Sequence, residues 1–220
     1  MKRHFLTFAL LASLAPCGCA PRMTAPADPL TEARQRLADS PASVHTQLEL
    51  SELYLQQRDY LRARQYLQVA ERELVRQPAR EIDLDGLSRL AIMIAVRSQQ
   101  YSEAIRRCLQ RLERTEDAQT RSLLASLLEA TGDEWGAERN LRLLALQYPE
   151  QPGRLVSLAR FYERSTFPER RRLSRELYQR YLDAAPGGDE AAQVRAALTL
   201  DRFEQRAEQR VEQRASRSQP

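Results

Sequence analysis

The side chains with reactive chemistry are few and scattered. Cysteine stands at Cys17, Cys19 and Cys108, and histidine at His4 and His45. His45 is the only histidine beyond residue 18, which excludes a multi-histidine metal site there and leaves little material for a general base. The paired carboxylates Asp83 and Asp85 fall in a polar connector and read as turn and cap residues. Gly187-Gly188 follows Pro186 and reads as a helix stop rather than a phosphate-binding loop. No nucleophile elbow is present. Cys108 lies between Ile105 and Leu109 in a helical pattern and reads as a buried structural thiol. Arg170-Arg171-Arg172 has the chemistry to hold an anionic lipid or an acidic partner, but Glu169 and Glu176 flank it, so it reads as a solvated helix face. These residues supply no convergent set for catalysis, and no catalytic residue, metal ligand or cofactor is assigned. The expectation is a protein that is not an enzyme.

The elements that carry these residues are expected to be helices. Hydrophobic residues make up 42% of the chain and charged residues 29%, which suffices for a core. Only 7 glycines are present, and Leu, Ala, Glu, Gln and Arg dominate long runs. The formal charge is +4; Lys2 and Arg3 are the only charges among residues 1–18, so the remainder carries +2. That is too small and too scattered for a nucleic-acid footprint, and no nucleic-acid partner is expected. Lys2 is the only lysine, an arginine bias read as compositional rather than functional.

The first 18 residues read as a leader. Lys2 and Arg3 precede an apolar run from Phe5 to Ala15, which is 11 residues long and too short to span a bilayer. Pro16-Cys17-Gly18-Cys19-Ala20 follows and resembles a lipobox, the bacterial site for thioether lipidation and cleavage before cysteine. The favoured acylated residue is Cys19, with the small Gly18 at the cut; the alternative is Cys17, with Leu14 in the upstream position. By resemblance to lipoproteins, Ala20 implies the periplasmic face of the outer membrane, with the lipid anchor as the only membrane contact. Residues 19–29, rich in Pro and Ala, read as a flexible tether.

Self-similarity then appears along the chain. One unit runs Ser51, Leu53-Tyr54, Arg58-Asp59-Tyr60, Ala63, Leu67 and Ala70, and a second runs Gln99-Gln100-Tyr101, Ala104, Cys108 and Arg111. A third runs Leu124-Ala125, Leu128, Gly132-Asp133, Ala137, Leu141, Leu144 and Pro149, and a looser fourth has Ala159, Tyr162, Tyr178, Tyr181 and Pro186. Small residues at Ser51, Ala63, Ala104, Ala125, Ala137 and Ala159 let helices approach closely, while Tyr54, Leu67, Leu141, Tyr162 and Tyr178 fill the gaps. A lone pair of such helices leaves an apolar face open, so pairs must stack. The pattern resembles the tetratricopeptide repeat, two antiparallel helices in about 34 residues. The resemblance implies an all-α solenoid with about four repeats over 30–186, and a C-terminal helix and tail over 187–220. Leu30 to Ala38 is expected to cap the start of the stack and Asp189 to Phe203 its end. The extra residues between the first and second units fit in 77–83, and a further insertion falls at Ser165-Thr166-Phe167-Pro168.

The resemblance also implies ligand binding on a concave face formed by the first helix of each pair. Carried over residue by residue, that face holds Leu48, Glu52 and Leu55; Arg89, Met93 and Arg97; Ser122, Ser126 and Glu129; and Val156, Arg160 and Arg164. Its arginines suit an acidic peptide or a C-terminal carboxylate. Phe203 to Ala215 repeats a four-residue unit three times and reads as a frayed solvated extension, a docking helix or a self-association segment. Among lipoproteins of this plan the chain looks most like pilotins of type IV pili and secretins. The expected role is therefore a scaffold on other envelope proteins, engaged through the concave face or the C-terminal helix. The alternatives are a scaffold for β-barrel insertion or cell-wall enzymes, and an enzyme subunit of unknown type.

Overall fold

A computed structural model describes residues 28–76 and 84–217; the leader, both candidate lipidation cysteines and the connector 77–83 lie outside the described residues. All regular structure among the described residues is helical. The helices are α1 (Pro29–Asp39), α2 (Val44–Gln56), α3 (Tyr60–Arg76), α4 (Leu84–Arg97), α5 (Tyr101–Arg114), α6 (Ala118–Ala130), α7 (Glu134–Gln147), α8 (Gly153–Glu163), α9 (Pro168–Ala184) and α10 (Ala191–Arg217). They pair as α2/α3, α4/α5, α6/α7 and α8/α9, with α1 packed on α2 and α10 on α9. This is an all-α tetratricopeptide-repeat solenoid.

Close helix approach depends on the small residues. Ser51, Ala63, Ala104, Ala137 and Ala159 are fully buried, and Ser51 donates its hydroxyl to the Ala63 carbonyl at 2.7 Å, tying α2 to α3. Tyr54, Leu67, Leu141, Tyr162 and Tyr178 are buried beside them. The core falls into three clusters. Ala91 and Ile94 of α4 face the first cluster, while Ile92 and Ala95 face the second. In α6, Leu124 and Leu127 belong to the second cluster and Ala125 to the third. The first helix of a pair thus joins two cores, as a stack of units that cannot bury their faces alone requires.

Three of the turns inside pairs are the same motif. After α2, the Asp59 amide donates to the Tyr54 carbonyl at 2.9 Å and the Arg58 amide to Leu55 at 3.0 Å. The equivalents are Gln100 to Ala95 and Gln99 to Val96 after α4, and Asp133 to Leu128 and Gly132 to Glu129 after α6. This is a Schellman closure, which needs a left-handed residue. Arg58 (φ 62°), Gln99 (φ 59°) and Gly132 (φ 85°) supply it. The next helix starts at once, because the Asp59 and Asp133 carboxylates accept from the amides of Arg62 (3.1 Å) and Gly136 (2.9 Å). The turn after α8 differs: Arg164 stays right-handed, and Ser165 to Phe167 lead into α9, which starts at Pro168.

Two readings need correction. Asp85 is not a connector residue. It lies in the first turn of α4 and pairs with Arg111, whose side chain is almost fully buried. Arg170 is not simply solvated: it reaches Glu134 (3.1 Å) and Glu138 (3.0 Å), with its guanidinium near the rings of Trp135, Phe161 and Phe167. Both partners lie more than 30 residues away in sequence, so local charge pattern does not reveal them. At the C-terminus, α10 runs past Phe203 to Arg217. Its Glu, Gln, Arg and Ala residues favour helix, and no Gly or Pro interrupts it.

Candidate protein-binding surface

The face lined by the first helices is built around α4 and α6. The α4 sequence puts Arg89, Met93 and Arg97 four residues apart, on one stripe of the helix, while Ala91, Ile94 and Ala95 turn inward. Asp117 opens α6 as its N-cap, accepting from the amides of Gln119 and Thr120 at 3.1 Å each. Between the stripe and this helix start lies a cavity of about 460 Å³. Ile92, Met93, Val96 and Leu123 give it an apolar floor, and Arg89, Arg97 and Gln119 edge it.

A buried polar chain fixes the α6 wall. Arg111 of α5 donates through Nε to Thr120 Oγ1 at 2.8 Å and through Nη2 to Asp117 at 3.2 Å. Thr120 passes its hydroxyl proton towards the same Asp117 carboxylate. Burial pushes the Asp117 carboxyl upward, but the Thr120 hydroxyl, the two amides and Arg111 outweigh it and hold the group below its ordinary range. Asp117 therefore stays ionised and is already fully engaged. The cavity's available charge is Arg97, which makes no ion pair among the described residues; Arg89 is held by Asp85 at 3.3 Å.

The other residues of this face lie apart from the cavity. On α2, Leu48 and Leu55 are half-buried against the first core cluster, and Glu52 is exposed. On α6, Ala125 belongs to the core, whereas Ser126 is exposed and donates to the Ser122 carbonyl at 3.1 Å. Glu129 pairs with Arg164, the C-cap residue of α8. Arg160 of α8 reaches Glu190 at 3.0 Å and Gln193 of α10 at 2.8 Å. Val156 is fully buried. The structure thus gathers Arg89, Met93 and Arg97 into one site and turns Arg160, Arg164 and Glu129 into links between helices. Sequence reasoning missed Gln119 and Leu123, the far wall. They precede the small residue Ala125 by six and two positions, and only the stacking of α6 on α4 shows that they face the stripe.

Cys108 is fully buried, and burial pushes its thiol up to about 11, so it is unreactive near neutrality. Among the described residues, no group of three or more His, Cys, Asp or Glu is placed to hold a metal ion, and no helix is long and apolar enough to cross a membrane.

No protein-family model matches the chain, and no curated protein matches it. Among solved structures the chain is similar to YrrB, described as a TPR protein with an unusual peptide-binding site. The identity is 16% over 76% of this chain and 81% of that one, with a TM-score of 0.57. A MamA crystal structure aligns at 15% identity over 70% of this chain and 85% of that one, with a TM-score of 0.56. The AMB-1 MamA aligns at 20% identity over 75% and 86%, also at 0.56. At these identities the likeness establishes the fold: a stack of tetratricopeptide-type helix pairs.

Proposed function

We propose that this protein is a non-enzymatic scaffold that holds a segment of another protein in the cavity between α4 and α6. The observation that carries the reading is the cavity itself, an apolar floor with a cation at its edge, Arg97, that makes no ion pair among the described residues. An extended peptide with an apolar side chain and a nearby carboxylate fits that chemistry. The fold supports it, since YrrB, with the same architecture, is described as having a peptide-binding site. We further propose that acylation of Cys19, or alternatively Cys17, tethers the scaffold to the periplasmic face of the bacterial outer membrane. There it aids assembly of an envelope complex such as a pilus or secretion channel. The support for this part is the apolar leader and the cysteine that follows it.

The test is site-specific photo-crosslinking in native cells, with the probe at the exposed Met93 and, for comparison, at Arg160. The expected result is a crosslinked envelope protein from Met93, lost when Arg97 is changed to Glu. Capture from Arg160 alone would move the site to the α8 end of the array. Capture from neither would remove the cavity from consideration. Metabolic labelling with a palmitate analogue, abolished by Cys19→Ser, tests the anchor separately; label retained in Cys19→Ser and lost in Cys17→Ser would shift the anchor to Cys17.

A further inference from the structure

The second helices of the array present a different surface, independent of the α4/α6 cavity. The residues of α7 at 135, 138, 139, 142, 143 and 146 recur at the helical spacings of three, four, seven, eight and eleven. They form one outward stripe about 16 Å long, three turns of helix. The inward stripe, with Ala137, Asn140, Leu141 and Leu144, is wholly used by the core. The outward stripe is nevertheless apolar at both ends: Trp135 is 79% exposed and Leu146 is 77% exposed. It borders a groove of about 540 Å³ between α7 and α9, with Leu155, Leu158 and Leu177 at its base.

The polar rim of this groove is cationic. Arg139 and Arg142 stand on the α7 side and Arg180 on the α9 side. Arg139 and Arg180 make no ion pair among the described residues. The one acid in the groove is Glu138, and its carboxylate is already occupied: the Tyr162 hydroxyl donates to it at 2.7 Å and Arg170 at 3.0 Å, with Arg142 more distant at 3.7 Å. Positive charge on both banks is thus left uncompensated over an apolar trough.

We propose that the α7/α9 groove docks an amphipathic helix of a partner protein, carrying a short apolar stripe flanked by carboxylates. The stripe length matches three turns of a helix laid along α7, which is a recurring mode of peptide recognition. Arginines on both banks select acidic flanks and reject basic ones.

Trp135 is the only tryptophan in the chain, so its fluorescence reads this groove directly. The full chain is titrated with two synthetic 16-residue helical peptides that share one Leu/Phe stripe, one flanked by Glu and the other by Lys. The expected result is a blue shift of Trp135 emission that saturates with the Glu peptide and is weaker by about tenfold or more with the Lys peptide. The double variant R139E/R180E is expected to invert that preference. Both side chains are exposed, so circular dichroism and the melting temperature should stay at the parent values. No emission change with either peptide, equal affinity for both, or an unaltered preference in the double variant overturns the proposal. So does a blue shift on concentrating the protein alone, which assigns the groove to a second copy. A shift with phosphatidylglycerol vesicles that outcompetes the Glu peptide assigns it to a lipid surface and likewise overturns it.

Discussion

Arg111, the last position of the second repeat unit, organises a wall of the α4/α6 cavity from a buried position. It falls on an amphipathic helix rich in arginine, and its side chain is only 5% exposed. Its partners Asp85, Asp117 and Thr120 come from the starts of α4 and α6, so it fastens α5 to both neighbours. Arg111→Met is expected to lower stability by about 2 kcal/mol or more, because buried acceptors lose a charged donor. Arg111→Lys should recover little of it, since one ammonium cannot replace a fork reaching three acceptors; chemical denaturation of both variants checks this. Glu103 is a second residue-scale case. The hydrogen bond from Arg106, with another from Arg107, holds its carboxyl down at about 2. The unfolded chain binds the proton first, so this contribution is complete above the ordinary carboxylate pKa and fades as pH falls towards about 2. Denaturation midpoints of Glu103→Gln should therefore converge on the parent's as the pH is lowered through that window. A constant gap would contradict it.

Helices and their turns were legible where the constraint is local. The small-residue positions announced themselves as alanine or serine, and they are the buried contact points. The turn residues Arg58-Asp59-Tyr60 and Gly132-Asp133 mark where one helix closes and the next is capped, because closure and capping use neighbouring residues. What sequence did not disclose are features assembled across stacked helices: the Arg170 cluster, the far wall of the α4/α6 cavity and the α7/α9 groove. The turns also carry an expectation of their own. A non-glycine residue in the left-handed region costs about 1 kcal/mol. Arg58→Gly and Gln99→Gly should each raise stability by about 0.5 kcal/mol, the gain being reduced by glycine's greater entropy in the unfolded chain. Gly132→Ala should lower it by a similar amount; space is not the reason, since a Cβ there meets nothing within 4 Å. Melting temperatures of the three variants give the signs.

At the scale of the molecule, the array behaves as a line rather than a sphere. The last pair is closed by the start of α10, where Ala191 and Val194 are buried against the cluster holding Leu177, Tyr178 and Tyr181. A chain ending after Phe203 keeps this cover, together with the Arg175–Asp201 pair, and should melt within about 2 °C of the parent. A chain ending at Pro186 exposes the α9 aromatics and should melt about 5–10 °C lower. Equal losses in both would mean that the distal part of α10 contributes to the core.

The sharing of α4 and α6 between adjacent cores also governs how the molecule bears load. Each core depends on a helix that belongs equally to the next, so tension applied at the two ends should be relieved by shedding one helix pair at a time. The equivalent turn residues Gln99 and Gly132 lie one repeat, 33 positions, apart, so releasing a pair of that length frees about 110–120 Å of extended chain. Held at one end and engaged at the other, the array would act as a stepped spring, lengthening under pull before its grip on a partner is lost.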